Sequence, residues 1–77
     1  MQFSQATFPP GEKAPSHMHS DLTEVFFIQS GNGKIQVDEK SIALTAGITV
    51  TVEPNEAHEI VNTGTENLVI LYFSIQH

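Results

Sequence analysis

The sequence predicts an all-β domain, a small antiparallel barrel or sandwich, and three observations support that class. No window shows the amphipathic stripe of a helix, and the apolar residues instead alternate with period two or run continuously. The larger apolar residues are mainly β-branched or aromatic, the types that strands favour. Turn-forming residues recur roughly every ten positions, as expected for many short strands.

The first half of the chain predicts three strands. The first covers residues 2–8 and ends at Pro9-Pro10-Gly11, because two prolines cannot extend a paired ladder. A short strand over 16–19 follows. Residues 24–29, Glu-Val-Phe-Phe-Ile-Gln, form the strongest strand signal in this half, and the turn Ser30-Gly31-Asn32-Gly33 closes it.

The second half predicts five further strands, which are separated by residues typical of turns. Lys34 to Asp38 alternates polar and apolar residues, and residues 48–53 place three β-branched aliphatic residues on one face. The segment Pro54-Asn55-Glu56 is expected to turn the chain. The predicted strands cover residues 34–38, 41–45, 48–53, 57–62 and 67–75.

The short length and the absence of cysteine limit the ways in which this fold can be stabilised. The chain has 77 residues, which predicts one domain over 1–77. Below roughly 80 residues a single core supplies only a few kcal/mol, and such folds usually need an additional constraint. Cysteine is absent, so disulfides and thiolate-bound metals are excluded. The remaining candidates for the additional constraint are a bound metal ion and a second copy of the chain.

Charge excludes several partners. Nine acidic residues face three lysines and no arginine, for a formal net charge of −6. No basic face for nucleic acid can be built, so no nucleic-acid partner is expected. No apolar run approaches the roughly 20 residues of a membrane span, and the first residues lack the pattern of a signal peptide. We therefore expect no membrane partner and a cytoplasmic location.

Three histidines and one glutamate form a candidate metal site. His17 and His19 lie two residues apart on a predicted strand, so their side chains are expected to share a face. Glu24 begins the next strand, and His58 lies about forty residues after the histidine pair. Three imidazoles and a carboxylate that converge inside a barrel suit a divalent first-row metal. The fourth histidine, His77, is expected to lie in a disordered tail.

The spacing of these residues resembles the first motif of the cupin family. Gly11, five residues, His17-x-His19, four residues, Glu24, six residues and Gly31 follow the family pattern. We expect positive φ at the glycines, which end strands.

The second cupin motif is also matched, with departures outside the ligand position. Gly47 is followed by five residues, Glu53-x-Asn55, two residues, His58, three residues and Asn62. Glu53 stands where the family has proline and Asn55 where it has glycine, a position whose left-handed backbone asparagine tolerates. Ile48 replaces a frequent aspartate. We expect Asn62 to hydrogen-bond the turn that follows its strand.

The resemblance to small, single-domain cupins of the conserved-barrel type implies the finer predictions. It implies an antiparallel double-stranded β-helix, a jelly-roll barrel with almost no helix. It also implies that His17, His19, Glu24 and His58 bind one divalent ion, for which Mn, Fe, Ni, Zn and Cu are all suitable.

Alternation along the strands predicts the lining of the barrel. If Glu24 and His58 point inward, their same-face neighbours do so too. For strand 34–38 the pattern leaves open whether Lys34 and Gln36 or Ile35 and Val37 face inward, and the faces of strand 67–75 are equally undecided. The candidate lining residues are Phe26, Ile28, Gln36, Ile60 and Tyr72.

Two predicted strands, 24–29 and 67–75, are apolar on both faces. In a monomer, a barrel strand should expose one of its faces to water. We therefore expect a homodimer that packs sheet to sheet, and the alternative is a cover formed by the N-terminal segment.

Three functions remain open. The first is a metalloenzyme that acts on a small molecule; the resemblance implies dioxygenase, isomerase, decarboxylase, lyase or cyclase chemistry. The second is a non-catalytic module that binds or senses a small, sugar-like molecule. The third is a structural role in which the metal stabilises the barrel. An open, solvent-reachable metal beside a cavity would favour the first two, and a closed tetrahedral site the third.

Overall fold

A computed structural model describes residues 3–77, which form an all-β fold. The eight strands are β1 (Phe3–Phe8), β2 (Lys13–His17), β3 (Leu22–Ser30), β4 (Asn32–Val37), β5 (Lys40–Thr45), β6 (Thr49–Val52), β7 (His58–Asn62) and β8 (Leu68–Gln76). Within residues 3–77 there is no helix with the length and apolar character that a membrane crossing requires.

The strands form two four-stranded antiparallel sheets. One has the order β1-β8-β3-β6 and the other the order β2-β7-β4-β5. Strands that are neighbours in a sheet are mostly distant in sequence, so the chain alternates between the sheets as a jelly roll does. The predicted double-stranded β-helix is confirmed.

Strand β2 differs from its predicted position. It covers Lys13–His17 rather than residues 16–19, because Lys13 and Ala14 pair with β7. Pro15 lies inside the strand, and this is tolerated because β2 is an edge strand with a register shift between Ala14 and His17. In β1, the predicted first residue, Gln2, lies outside the described residues.

The core lies between the two sheets and decides which faces point inward. Ile35 is fully buried and Val37 is 6% exposed, whereas Gln36 between them donates its amide to the Asp38 carbonyl at the surface. The inward face of β4 is therefore the aliphatic one. The buried apolar residues are Phe26, Ile28, Ile35, Val37, Leu44, Val50, Val52, Ile60, Leu68 and Ile70.

Two turn positions adopt the left-handed backbone that the motifs imply. Asn55 has a φ of 70°, and its N–H donates to the His19 carbonyl at 2.7 Å. Gly31 has a φ of 91°, and a Cβ added there would overlap the backbone of Asn67 and Leu68. The first turn accepts asparagine, as expected, and the second requires glycine for space as well as for conformation.

The expectation of a disordered tail at His77 is wrong. Its N–H donates to the Asp21 carbonyl at 2.9 Å, and its Nε2 lies 2.6 Å from the Thr23 hydroxyl. Thr23 is buried, and its hydroxyl donates to Glu53 Oε1 at 3.0 Å and so accepts from His77 Nε2. These hydrogen bonds hold the residue after β8 against β3, a contact that no local sequence signal indicates.

Candidate metal centre

Three different parts of the fold bring the predicted ligands to one end of the barrel. His17 ends β2 and His58 begins β7, and the two residues are paired across these strands with ring centroids 4.1 Å apart. Glu24 projects from β3 in the opposite sheet. His19 lies beyond the end of β2, so its position comes from the β2–β3 loop rather than from strand alternation.

The side chains meet around the carboxylate of Glu24. His17, His19 and Glu24 each offer a ligand atom, and these three atoms lie within 4.8 Å of one another. His58 is not a member of that group of three, but its Nε2 lies 3.1 Å from Glu24 Oε1. His19 Nε2 lies 3.7 Å from the same oxygen. The structure thus brings all four predicted residues together.

Two buried atoms at the centre are suited to bind a cation. Glu24 Oε1 and His58 Nε2 are both buried, and neither has a hydrogen-bond partner within residues 3–77. Such orphaned polar atoms are rare in folded proteins and cost about 1–3 kcal/mol each. An oxygen and an imidazole nitrogen that present lone pairs to the same space are suitable ligands for a divalent first-row metal.

Backbone carbonyls orient two of the imidazoles. His58 Nδ1 faces the Glu56 carbonyl at 3.5 Å, and His17 Nδ1 faces the Pro15 carbonyl at 3.1 Å. Each contact favours a proton on Nδ1 and leaves Nε2 with a free lone pair. This is the usual outer support of a metal-bound histidine.

Burial prepares His58 to act as a neutral ligand. The side chain is 1% exposed, and desolvation lowers its pKa below the ordinary value of 6.5. The neighbouring His17 lowers the same pKa further, against smaller opposing effects of the Glu56 carbonyl and Glu24. The deprotonated form that a metal requires is therefore the stable form at neutral pH.

The site is open on one side. Glu24 and His58 are buried, whereas His17 is exposed and the His19 side chain is 39% exposed. A ligand can therefore reach the centre from solvent. A closed structural site would bury all its ligands.

A cavity of about 170 Å³ adjoins the centre. Its polar end is formed by His17, Glu24 and His58, and an aromatic row continues from there. The ring centroids of His58 and Phe26 are 5.8 Å apart, and those of Phe26 and Tyr72 are 5.9 Å apart. The remaining lining residues are Ala6, Phe8, Ala14, Ile60 and Ile70.

The structure places three of the five predicted lining residues on this cavity and corrects two. Phe26, Ile60 and Tyr72 line it. Ile28 shares their inward face but is fully buried in the core, and Gln36 points away on the outer face of β4. Sequence reasoning missed Ala6 and Phe8 of β1, although their period-two spacing with a polar residue between them offered the signal.

The family is decided by a match along most of the chain. Residues 4–74 match the family model of the cupin domain. The chain belongs to the cupin family. Both motifs lie inside the matched segment, so the predicted family is confirmed.

Two curated relatives have names that describe binding. The chain is 34% identical to auxin-binding protein 1 of Arabidopsis thaliana, over 84% of this chain and 37% of the relative. It is 30% identical to the oxalate-binding protein of Thermotoga maritima, over 90% of this chain and 57% of that protein. This cupin thus spans less than two thirds of either relative.

Solved structures support the fold. The crystal structure of a predicted oxalate decarboxylase from Thermotoga maritima superposes with a TM-score of 0.94 at 29% identity, covering 97% of this cupin and 65% of that chain. The cupin domain of Cnp3 from Schizosaccharomyces pombe gives a TM-score of 0.93 at 17% identity, covering 97% and 55%. At that identity the second likeness shows the fold alone.

Proposed function

We propose that this cupin holds a divalent first-row metal on His17, His19, Glu24 and His58 and binds a small molecule in the adjoining cavity. The observation that carries the proposal is a pair of buried atoms at the polar end of that cavity, Glu24 Oε1 and His58 Nε2, which lie 3.1 Å apart and have no hydrogen-bond partner among residues 3–77. The names of the two binding-protein relatives agree with this assignment.

The residues of the site and of the cavity have separate roles in binding the metal and the ligand. Glu24 supplies the carboxylate that offsets part of the metal charge, and the imidazoles bind as neutral ligands. The hydrophobic walls around Phe26 and Ile60 exclude water and hold the body of the ligand. A metal held by these residues would supply Lewis acidity to an oxygen of the ligand.

Turnover of the bound molecule is the second candidate function. The exposure of His17 and His19 favours it, because an accessible centre can admit a substrate or a co-substrate. Tyr72 is the one lining residue with a proton-bearing group beyond the ligands themselves. A substrate screen by oxygen uptake and product analysis separates turnover from binding.

We also propose that the protein is a homodimer formed through the outer face of the sheet β1-β8-β3-β6. Phe3 is 73%, Phe27 41% and Ile75 42% exposed there, and Phe3 stacks edge-on against Phe73 at 5.1 Å. A second copy with the same uncharged face would cover these side chains. Light scattering should give twice the monomer mass, and Phe27→Glu should give the monomer, whereas Ala43→Glu on the other sheet should not.

Elemental analysis tests the central proposal. Protein purified without metal supplementation should contain about one divalent metal per chain, and His58→Ala should contain little. The matched control is His77→Ala, which removes a histidine outside the centre and should retain the metal. Equal metal contents in His58→Ala and the unaltered protein would contradict the assigned ligands.

A further inference from the structure

The described lining of the cavity has an acidic side chain but no lysine or arginine. Its described lining contains one carboxylate, Glu24, and no lysine, and the chain has no arginine. Lys13, the nearest lysine in sequence to a lining residue, is 60% exposed and lies 3.8 Å from Glu59. Within residues 3–77, no lysine or arginine lines the cavity to neutralise a charged group on its wall.

The body of the cavity is hydrophobic. Away from the three metal-site residues, the lining consists of alanine, isoleucine, phenylalanine and a single tyrosine. Burying an ionised group against such a wall is strongly unfavourable unless it is paired. A ligand's charge must therefore lie at the metal end, and the rest of the ligand must be apolar.

The net charge at the metal limits how many negative charges a bound ligand can carry. A divalent cation with neutral histidines and the Glu24 carboxylate leaves a net charge of about +1. One anionic group neutralises it. A second would leave an excess negative charge inside a cavity that has no cation to pair with it. The volume of about 170 Å³ is close to the roughly 150 Å³ of an apolar cavity that holds benzene.

We infer that the cavity selects a small monoanion with a single carboxylate-like chelating end and an apolar body, and discriminates against dianions. This inference rests on the proposed function, because the metal receives the anionic end. The row of rings formed by Phe26 and Tyr72 lies along the path of that body. The absence of a lysine or arginine on the described cavity walls contributes to this selectivity as much as the hydrophobic contacts do.

The test compares carboxylates on the zinc-loaded protein by isothermal titration calorimetry, after the zinc content has been measured. Butyrate and succinate form a matched pair, since succinate replaces the terminal methyl of butyrate with a second carboxylate. We expect butyrate and benzoate to bind and succinate to bind at least about tenfold more weakly than butyrate. Oxalate should bind more weakly than benzoate.

Two variants separate wall charge from total charge. Ala14→Lys places a cation on the cavity wall and should strengthen succinate binding about tenfold relative to butyrate. Ala43→Lys adds the same charge on the exposed outer face of β5, away from the cavity and on the sheet outside the proposed dimer face, so it should leave the ratio unchanged. Ala6→Lys repeats the first substitution on another strand if Ala14→Lys fails to fold.

The outcomes distinguish the two proposals. A protein that holds no zinc contradicts the proposed function and the inference with it. A zinc-loaded protein that binds succinate as tightly as butyrate, binds oxalate more tightly than benzoate, or binds no carboxylate overturns the inference alone. A tenfold preference that Ala14→Lys removes and Ala43→Lys preserves supports it.

Discussion

Glu24 Oε1 and His58 Nε2 face each other at 3.1 Å from opposite sheets of the barrel, and both are buried with no hydrogen-bond partner in the described part of the chain. Residues about thirty positions apart in sequence thus meet with matched lone pairs. Without a cation, this contact weakens the fold at its open end. With a cation it joins β3 of one sheet to β7 of the other, so metal binding and stability are coupled.

Metal removal should lower the melting temperature. Binding to the folded state alone adds about 2.7 kcal/mol at a hundredfold excess over Kd. In a domain of this size each kcal/mol corresponds to roughly 4–8 °C. Thermal unfolding followed by circular dichroism, with and without a chelator, should therefore differ by several degrees or more. His58→Ala should melt at the same temperature in both conditions. Identical curves for the unaltered protein would mean that the metal contributes nothing to stability.

The metal-free protein should lose stability as pH falls below 6.5. Burial lowers the pKa of His58 in the folded state, so the unfolded chain binds more protons in the window between the folded pKa and 6.5. The contribution is fully present above 6.5 and is lost as pH falls through the folded pKa. Urea unfolding with a chelator at neutral pH and about one unit below 6.5 measures the loss. His58→Gln should make the pH dependence shallower; an unchanged dependence would assign it to other groups.

Asn62 should be one of the most sensitive positions outside the metal centre. It is 2% exposed; its amide donates to the carbonyls of Phe8 and Glu66, and its Oδ1 accepts from the Gly64 N–H. Asn62→Ala removes the side-chain partner of these three backbone groups and should cost about 2–3 kcal/mol in urea unfolding. Thr65→Ala, an exposed change in the same loop, should stay within about 0.5 kcal/mol. Equal effects of the two changes would contradict this role.

Gly31→Ala and Gly47→Ala separate steric overlap from backbone strain. Both glycines have positive φ, 91° and 93°, so each alanine should cost about 1 kcal/mol from conformation. Only Gly31 lacks space, because its Cβ would overlap the backbone of Asn67, whereas nothing lies near a Cβ at Gly47. Chemical denaturation should show the larger loss for Gly31→Ala. A larger loss for Gly47→Ala would mean that the turn at Gly31 can shift to make room.

The sequence predicted the fold class and the succession of strands along the chain, because period-two patterning and turn residues are local signals. Motif spacing also predicted that His17, His19, Glu24 and His58 would lie close together, and their role as metal ligands stays a prediction. The sequence pattern misplaced β2, since Lys13 and Ala14 join a strand only through pairing with β7. It left the face of β4 open, because Lys34 and Gln36 alternate with Ile35 and Val37 and only the opposite sheet shows which pair is buried.

The cavity wall was predicted only in part for the same physical reason. Strand alternation gives the face of a side chain but not its depth along the barrel, so Ile28 was placed on the lining although it lies deeper in the core. The contact between His77 and Thr23 depends on where β8 ends relative to β3. Such relationships arise between strands and leave no local pattern.

Calorimetric titration of the metal-free protein with zinc at neutral pH is the most direct test of the four-ligand centre. The unaltered protein and His77→Ala should bind one equivalent with the same affinity. His58→Ala and Glu24→Ala should each bind at least about tenfold more weakly, because each loses a buried ligand. Zinc binding that is absent from the unaltered protein, or unchanged in both ligand variants, would contradict the account.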